Sequence, residues 1–332
     1  MSAKSGPMPP WLAGTLVRLA QRHGDGELHH AILLSGRPGV GKQWLAETLA
    51  RSLLCAGAAP EPCGACPACR LTEAGTHPDL RLLHTDEREK GEEGGSIVVN
   101  DIRELLSFMQ LSPQMGGARV AVIIPAERMN RSAANSLLKF LEEPPSGVQL
   151  ILTTGNPRRL PPTVRSRCAI VTLPPPSREL ALEWLGRRVD ADEREVDLAL
   201  ALSAGMPMAA ERLLSSGGTG LFRTALKHLA AAASGSDPVV LAREWENAPQ
   251  RLGRWVMLIV TDILRMRAGG LPATVEPERV AALSNSAGDD AVLHLVLERL
   301  AEHLRALEQP LNGRLAAEAI LLDAVSAWKK RS

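Results

Sequence analysis

"HAILLSGRPGVGKQWLAETLARSLLC" (residues 30–55) is the stretch that decides the fold. It opens on a short apolar run ending at Gly36 and continues into leucines and alanines at helical spacing, so it reads as strand, glycine loop and helix. That frame is a phosphate-binding loop. In such a loop backbone amides surround the phosphates, a lysine reaches the terminal ones, and the hydroxyl after the lysine ligates Mg²⁺. Gly36, Gly39, Gly41 and Lys42 keep the cradle, while Gln43 stands where the hydroxyl belongs. Phosphate binding, and with it ATP as a ligand, is left open; metal positioning is lost.

Two further apolar runs, "ARVAVII" (118–124) and "VQLILTT" (148–154), lack strict alternation, as strands buried on both faces of a parallel sheet do. Between them "NRSAANSLLKFLEE" (130–143) reads as one helix, stopped by Pro144 and Pro145. A strand also follows the turn at "THPDL" (76–80), over Leu80 to Leu83. The first 170 or so residues are therefore read as doubly wound α/β. In a working ATPase the strand "ARVAVII" runs into carboxylates that hold Mg²⁺ through water. Here Ile124 and Pro125 occupy those places, and Glu127 comes too late. Phosphoryl transfer depends almost wholly on positioned charge, so two missing metal-handling groups argue against hydrolysis.

After "TLPPPS" (172–177), a linker by composition, only helical patterns follow, such as "RELALEWLGRRV" and "DLALALSAG". "SSGGTG" (215–220) divides this half into a small helical part and a longer one. In the longer part Leu293, Val296, Leu297, Leu300, Leu304, Leu307 and Leu311 form an apolar stripe at spacings of three and four.

Four of the five cysteines fall within residues 55–69. Cys55, Cys63, Cys66 and Cys69 are spaced C-x7-C-x2-C-x2-C, the tight thiolate spacing of a tetrahedral zinc site. Four protein ligands leave no position for water, so this zinc would be structural. His77 is a competing ligand or, more simply, a cap on the turn into the next strand. The rest of the composition excludes more than it suggests. With 38 Lys+Arg against 37 Asp+Glu the formal charge is +1, which gives no global attraction to nucleic acid or anionic membranes. The longest apolar runs, such as Trp255 to Val260, fall short of the roughly 20 residues of a membrane span, and the N-terminus has no signal-peptide core. A cytoplasmic protein without membrane contact is expected.

Taken together, "HAILLSGRPGVGK", the four-cysteine insert, "THPDL", "NSLLKFLEEPP", "LTTGNPRRLPPTVRSRC" and "LNGRLAAEAILL" resemble the delta-prime subunits of bacterial DNA polymerase III clamp loaders. The most specific parts are "LLKFLEEPP" followed by "PPTVRSRC", a spacing of the clamp-loader branch of AAA+ proteins. The degraded P-loop favours delta-prime over the ATP-hydrolysing subunit. The resemblance implies three domains: a RecA-like AAA+ domain over 1–173 with the zinc module at 55–69, a helical lid over 174–217, and a helical collar over 218–332 that joins five subunits in a ring. Part of the leucine stripe would then face a neighbour. The implied partners are the delta and gamma/tau subunits, the sliding clamp, and primer-template DNA in the central chamber, approached by Arg103 and Lys139. The implied role is that of a DNA polymerase III holoenzyme subunit that hydrolyses no ATP itself. The lid's sensor arginine is replaced by Met208, and Arg167 of "SRC" would be an arginine finger acting on the ATP of the neighbouring subunit. Two rival readings are an active P-loop ATPase subunit of a clamp loader, and a stand-alone zinc module binding nucleic acid with steep salt dependence.

Overall fold

The structure, a computed structural model, describes residues 8–57, 60–85, 95–272, 276–307, 309 and 311–328. Part of the N-terminal stretch on which the absence of a signal peptide was read, the residues before Met8, lies outside it. Two compact units emerge, one up to Trp184 and one from Leu185 onward.

The first unit is a five-stranded sheet with helices α1 (Pro10–Gly24), α2 (Lys42–Leu54), α3 (Pro67–Ala74), α4 (Val99–Met109), α5 (Arg131–Ser136), α6 (Leu138–Glu142) and α7 (Pro162–Arg165). Its strands β1 (Ala31–Ser35), β2 (Leu80–His84), β3 (Arg119–Ile124), β4 (Val148–Thr154) and β5 (Ala169–Thr172) are all parallel, in the order β2-β3-β4-β1-β5. The three inner strands, β3, β4 and β1, are buried at every position, which is why they read as unbroken apolar runs. Edge strand β5 alternates, with Ile170 exposed, and its four residues gave too short a pattern to be read from sequence. Helix α1 was also missed, although Leu12, Leu16 and Leu19 are its buried face. Trp11 donates from Nε1 to the Val40 carbonyl at 2.8 Å, tying that helix to the P-loop.

The single helix expected over 130–143 is two. Leu137 lies between α5 and α6, where its N–H turns to the Ala134 carbonyl three residues back. One residue earlier, the Ser136 hydroxyl donates to the Ala133 carbonyl at 2.7 Å. A side chain that bonds the backbone one turn back competes with the helical ladder and tightens the turn.

The second unit is helical, and no strand follows Thr172 among the described residues. Helix α8 (Arg178–Gly186) spans the boundary at Trp184, and the second unit proper holds α9 (Glu193–Leu202), α10 (Pro207–Ser215), α11 (Gly218–Ala233), α12 (Pro238–Ala242), α13 (Pro249–Arg267), α14 (Pro277–Ser286), α15 (Asp290–Ala306) and α16 (Gly313–Val325). The Gly/Ser-rich stretch is a tight corner between α10 and α11, with Gly217 at φ 66°, a left-handed conformation that suits glycine. Of the leucine stripe, Leu293, Val296, Leu300 and Leu307 are buried in this unit's own core and Leu297 packs against it, whereas Leu311 is exposed.

Candidate functional site

Residues 36–43 join β1 to α2. Gly41 is the N-cap of α2 at φ 102°, a backbone that side chains rarely adopt. A Cβ on Gly36 would lie 2.9 Å from the Leu173 carbonyl, so the loop's first glycine is fixed by close packing. Lys42 donates from Nζ to the carbonyls of Gly36 (2.7 Å) and Arg37 (3.0 Å), which curls the ammonium over the loop it belongs to. The strand, glycine loop and helix follow one another as the sequence indicates. The Gln43 amide donates to Glu47 Oε1 at 2.8 Å, one turn along α2, so the side chain that replaces the hydroxyl is turned along the helix.

At the end of β3 stand Ile124 and Pro125, which offer no side-chain ligand for a cation. Glu127 lies in the short turn Ala126–Arg128 and its Oε1 accepts from the Gly155 N–H at 2.6 Å. A carboxylate so placed closes the end of β4. Met208, in the second unit, is buried on α10.

Arg167 follows α7 in the loop into β5. Its Nη2 pairs with Glu142 Oε1 at 2.6 Å, and its Nη1 donates to the Thr163 carbonyl at 3.0 Å. About a third of the side chain, 35%, stays exposed. The neighbouring Cys168 is an inert thiol by contrast: burial pushes it up to about 11, and its Sγ donates to the Val164 carbonyl. Arg103 and Lys139 are exposed on α4 and α6.

The four cysteines come together where α2 ends and α3 begins: Cys55 is the C-cap of α2 and Cys66 the N-cap of α3. Their Sγ atoms all lie within 4.8 Å of one another, with 3.9 Å for Cys55–Cys66, 3.9 Å for Cys63–Cys69 and 3.6 Å for Cys55–Cys69. Disulfides are far shorter, about 2.05 Å. A tetrahedron with Zn–S of about 2.3 Å has edges of about 3.8 Å, which is this spacing. Backbone N–H groups of Gly57 and Cys63 reach Cys55 Sγ at 3.3 Å, and those of Cys66 and Cys69 reach Cys63 Sγ and Cys66 Sγ at 3.4 Å. Backbone N–H groups, that of Ala56 foremost, hold the Cys66 thiol down to about 6, and they lower Cys63 as well. Burial pushes Cys69 the other way, to about 12. A bound metal ion removes that proton outright, because a coordinating thiol is deprotonated. The donor set, the spacing and the thiolate-directed N–H groups all fit a structural metal.

His77 is no part of this cluster. It is buried in the turn into β2, where its Nδ1 accepts from the Asp79 N–H at 3.0 Å. Sequence reasoning gave no role to its neighbour Asp79, which is fully buried and paired with Arg119 (3.1 Å).

Residues 13–177 match the family model described as DNA polymerase III, delta subunit. The chain is similar to DNA polymerase III subunit delta' of Escherichia coli strain K12, with 36% identity over 281 residues, 83% of this chain and 82% of that protein. Its likeness to DNA polymerase III subunit delta' of Pseudomonas aeruginosa is 42% over 210 residues, 63% of this chain and 62% of that protein. A solved structure of a DNA polymerase III gamma subunit-related protein from Thermotoga maritima superposes with a TM-score of 0.54 over 95% of this chain and 99% of the other; at 17% identity this is a likeness of fold.

Proposed function

The chain belongs to the family of DNA polymerase III delta' subunits, and from that premise we propose that it serves the clamp loader as an ATPase fold that hydrolyses nothing itself. In this reading it lends Arg167 to the ATP site of the next subunit. One observation carries it: Ile124 and Pro125 end β3 without a carboxylate, while Arg167 stands partly exposed on the loop into β5, its guanidinium held by Glu142 and the Thr163 carbonyl. The buried Met208, at the place of a sensor arginine, supports the same conclusion.

The division of labour we propose is an AAA+ domain over 1–173, a lid over 174–217 and a collar over 218–332. The last would join the delta and gamma/tau subunits in a ring. Arg167 would supply positive charge as negative charge develops on the neighbour's γ-phosphate, the work of an arginine finger in trans. The P-loop would keep its shape as part of the scaffold, with or without ATP in it. Arg103 and Lys139 would touch the backbone of primer-template DNA in the chamber, contacts that position without reading sequence, while the assembled ring carries the sliding clamp.

A zinc ion held by Cys55, Cys63, Cys66 and Cys69 would cross-link the end of α2 to the start of α3. Its chemistry there is structural, since four thiolates leave no open position.

The test is reconstitution from full-length subunits. The isolated chain is expected to turn over ATP no faster than its Lys42→Ala variant, yet to enter a stable complex with the loader subunits and to raise their DNA-dependent ATPase. Turnover by the isolated chain that Lys42→Ala abolishes would replace this reading with that of an active ATPase.

A further inference from the structure

We infer that Glu142 is a positioning residue for Arg167: its carboxylate, on α6, holds the guanidinium in the attitude from which it reaches the neighbour's phosphate. The inference rests on the reading of Arg167 as a trans-acting finger, and it goes beyond it by assigning a role to a second side chain.

The geometry is that of a side chain gripped at two points. Glu142 Oε1 meets Nη2 at 2.6 Å, at the short end of charge-assisted hydrogen bonds. On the other terminal nitrogen, Nη1 donates to the Thr163 carbonyl at 3.0 Å and approaches the Ser166 hydroxyl at 3.4 Å. One grip comes from the end of α6 and the other from α7 and the loop behind it. A guanidinium has five N–H donors in a rigid fork, so these contacts fix its plane and still leave donors for phosphate oxygens.

The anchor for Glu142 is firm. It is the last residue of α6, and Phe140 and Leu141 just before it are buried in the core of the sheet unit. The Leu141 carbonyl is bonded to His30 Nε2 at 3.1 Å, and Pro144 and Pro145 end the helix.

Half of the Glu142 side chain and a third of that of Arg167 remain exposed, so the pair contributes little to folding. Its effect falls instead on the arginine, a long side chain that would otherwise sample many rotamers. A group that must meet a transition state in trans loses rate when it arrives misplaced, and preorganisation by a neighbouring side chain reduces that loss. This also accounts for the presence of the acid in "LEEPP" and the arginine in "SRC" as one working unit, 25 positions apart in the chain and touching in the fold.

The experiment uses a reconstituted loader of full-length subunits in which only the ATP site facing this chain keeps its catalytic groups. Glu142→Ala is expected to lower kcat about three- to tenfold with KM for ATP unchanged, the pattern of an interaction made only in the transition state. Glu142→Asp should recover part of the loss. Arg167→Ala should fall further, and adding Glu142→Ala to it should change nothing more, because a residue acting through another has no effect once that other is gone. Thermal melts of both variants close to wild type would confirm that the fold is intact. Wild-type or raised kcat in Glu142→Ala, or an additive loss in the double variant, would overturn the positioning role while leaving the finger standing. Wild-type kcat in Arg167→Ala would overturn the finger and the positioning role with it.

Discussion

Replacing Asp79 with asparagine should destabilise the sheet unit more than any surface change in this chain. Asp79 is fully buried, and its carboxylate accepts from Arg119 Nη2 (3.1 Å), from Met115 N–H (2.8 Å) and from Gln114 N–H (2.8 and 3.0 Å). Arg119, with 2% of its side chain exposed, also donates to the carbonyls of Phe108 and Ser112 and lies 4.5 Å from the centroid of the Phe108 ring. The network thus pins the loop between α4 and β3 against the start of β2. Asparagine keeps one acceptor oxygen but loses the charge and brings an NH₂ toward N–H groups, leaving a buried guanidinium uncompensated. Breaking one side of a buried pair costs about 3–5 kcal/mol, a large share of the roughly 5–15 kcal/mol that holds a domain folded. The assay is hydrogen exchange against urea, read on peptides covering β2, β3 and α4, so that the helical unit does not enter the measurement. Asp79→Asn should lose about 3–5 kcal/mol there, and Asp79→Asn with Arg119→Met should recover part of it, because no charge is then stranded. A loss below about 1 kcal/mol, the range of a surface pair, or a double variant worse than Asp79→Asn, would refute the reasoning.

Metal analysis of the purified chain should find about one zinc ion per molecule, lost in Cys66→Ala with Cys69→Ala; a full complement of zinc in that variant would dismiss the site. Arg267 donates to the carbonyls of Ser284, Ala287 and Gly288 and to Asp290 Oδ1, closing the C-terminal end of α14, so Arg267→Ala should lower the melting stability of the helical unit by about 2–3 kcal/mol; a change within about 0.5 kcal/mol would rank it with ordinary surface positions. His77 is held below its ordinary 6.5 by burial, against the pull of Asp79. Its unfolded form therefore binds the proton more readily, and stability should be full above the unfolded pKa and fall as pH drops below it. His77→Gln should flatten the part of the urea-midpoint profile between about pH 5 and 7; an unchanged slope would show that other groups set it.

How much of this could be read in advance follows from which interactions are local. The inner strands announced themselves because burial on both faces demands unbroken apolar runs. The thiolate cluster did so because its ligands lie within one short insert at the ends of two consecutive helices. The broken helix at Leu137 escaped because a serine hydroxyl turning back on its own backbone looks, in sequence, like any tolerated serine. Asp79 and Arg119 are 40 positions apart and Glu142 and Arg167 are 25 apart, so neither pair has a spacing to betray it. "THPDL" was legible as a turn capped by His77, but the partner of its aspartate was not. In the structure its aspartate is the buried anion of a three-way junction and its histidine the cap of the same turn. The leucine stripe read as an apolar face, and most of it serves its own core, with Leu311 left exposed.

The measurement that bears most directly on the central claim is the ATPase rate of a loader in which only the site facing this chain is competent, with wild-type, Arg167→Lys and Arg167→Ala forms compared at equal assembly by gel filtration. A trans-acting finger predicts an intact ring in every case, a loss for Arg167→Ala on the scale of about 10³ or more, and poor rescue by lysine, whose point charge lacks the planar fork. A wild-type rate in Arg167→Ala within an intact ring would contradict the account and leave the chain a structural member alone.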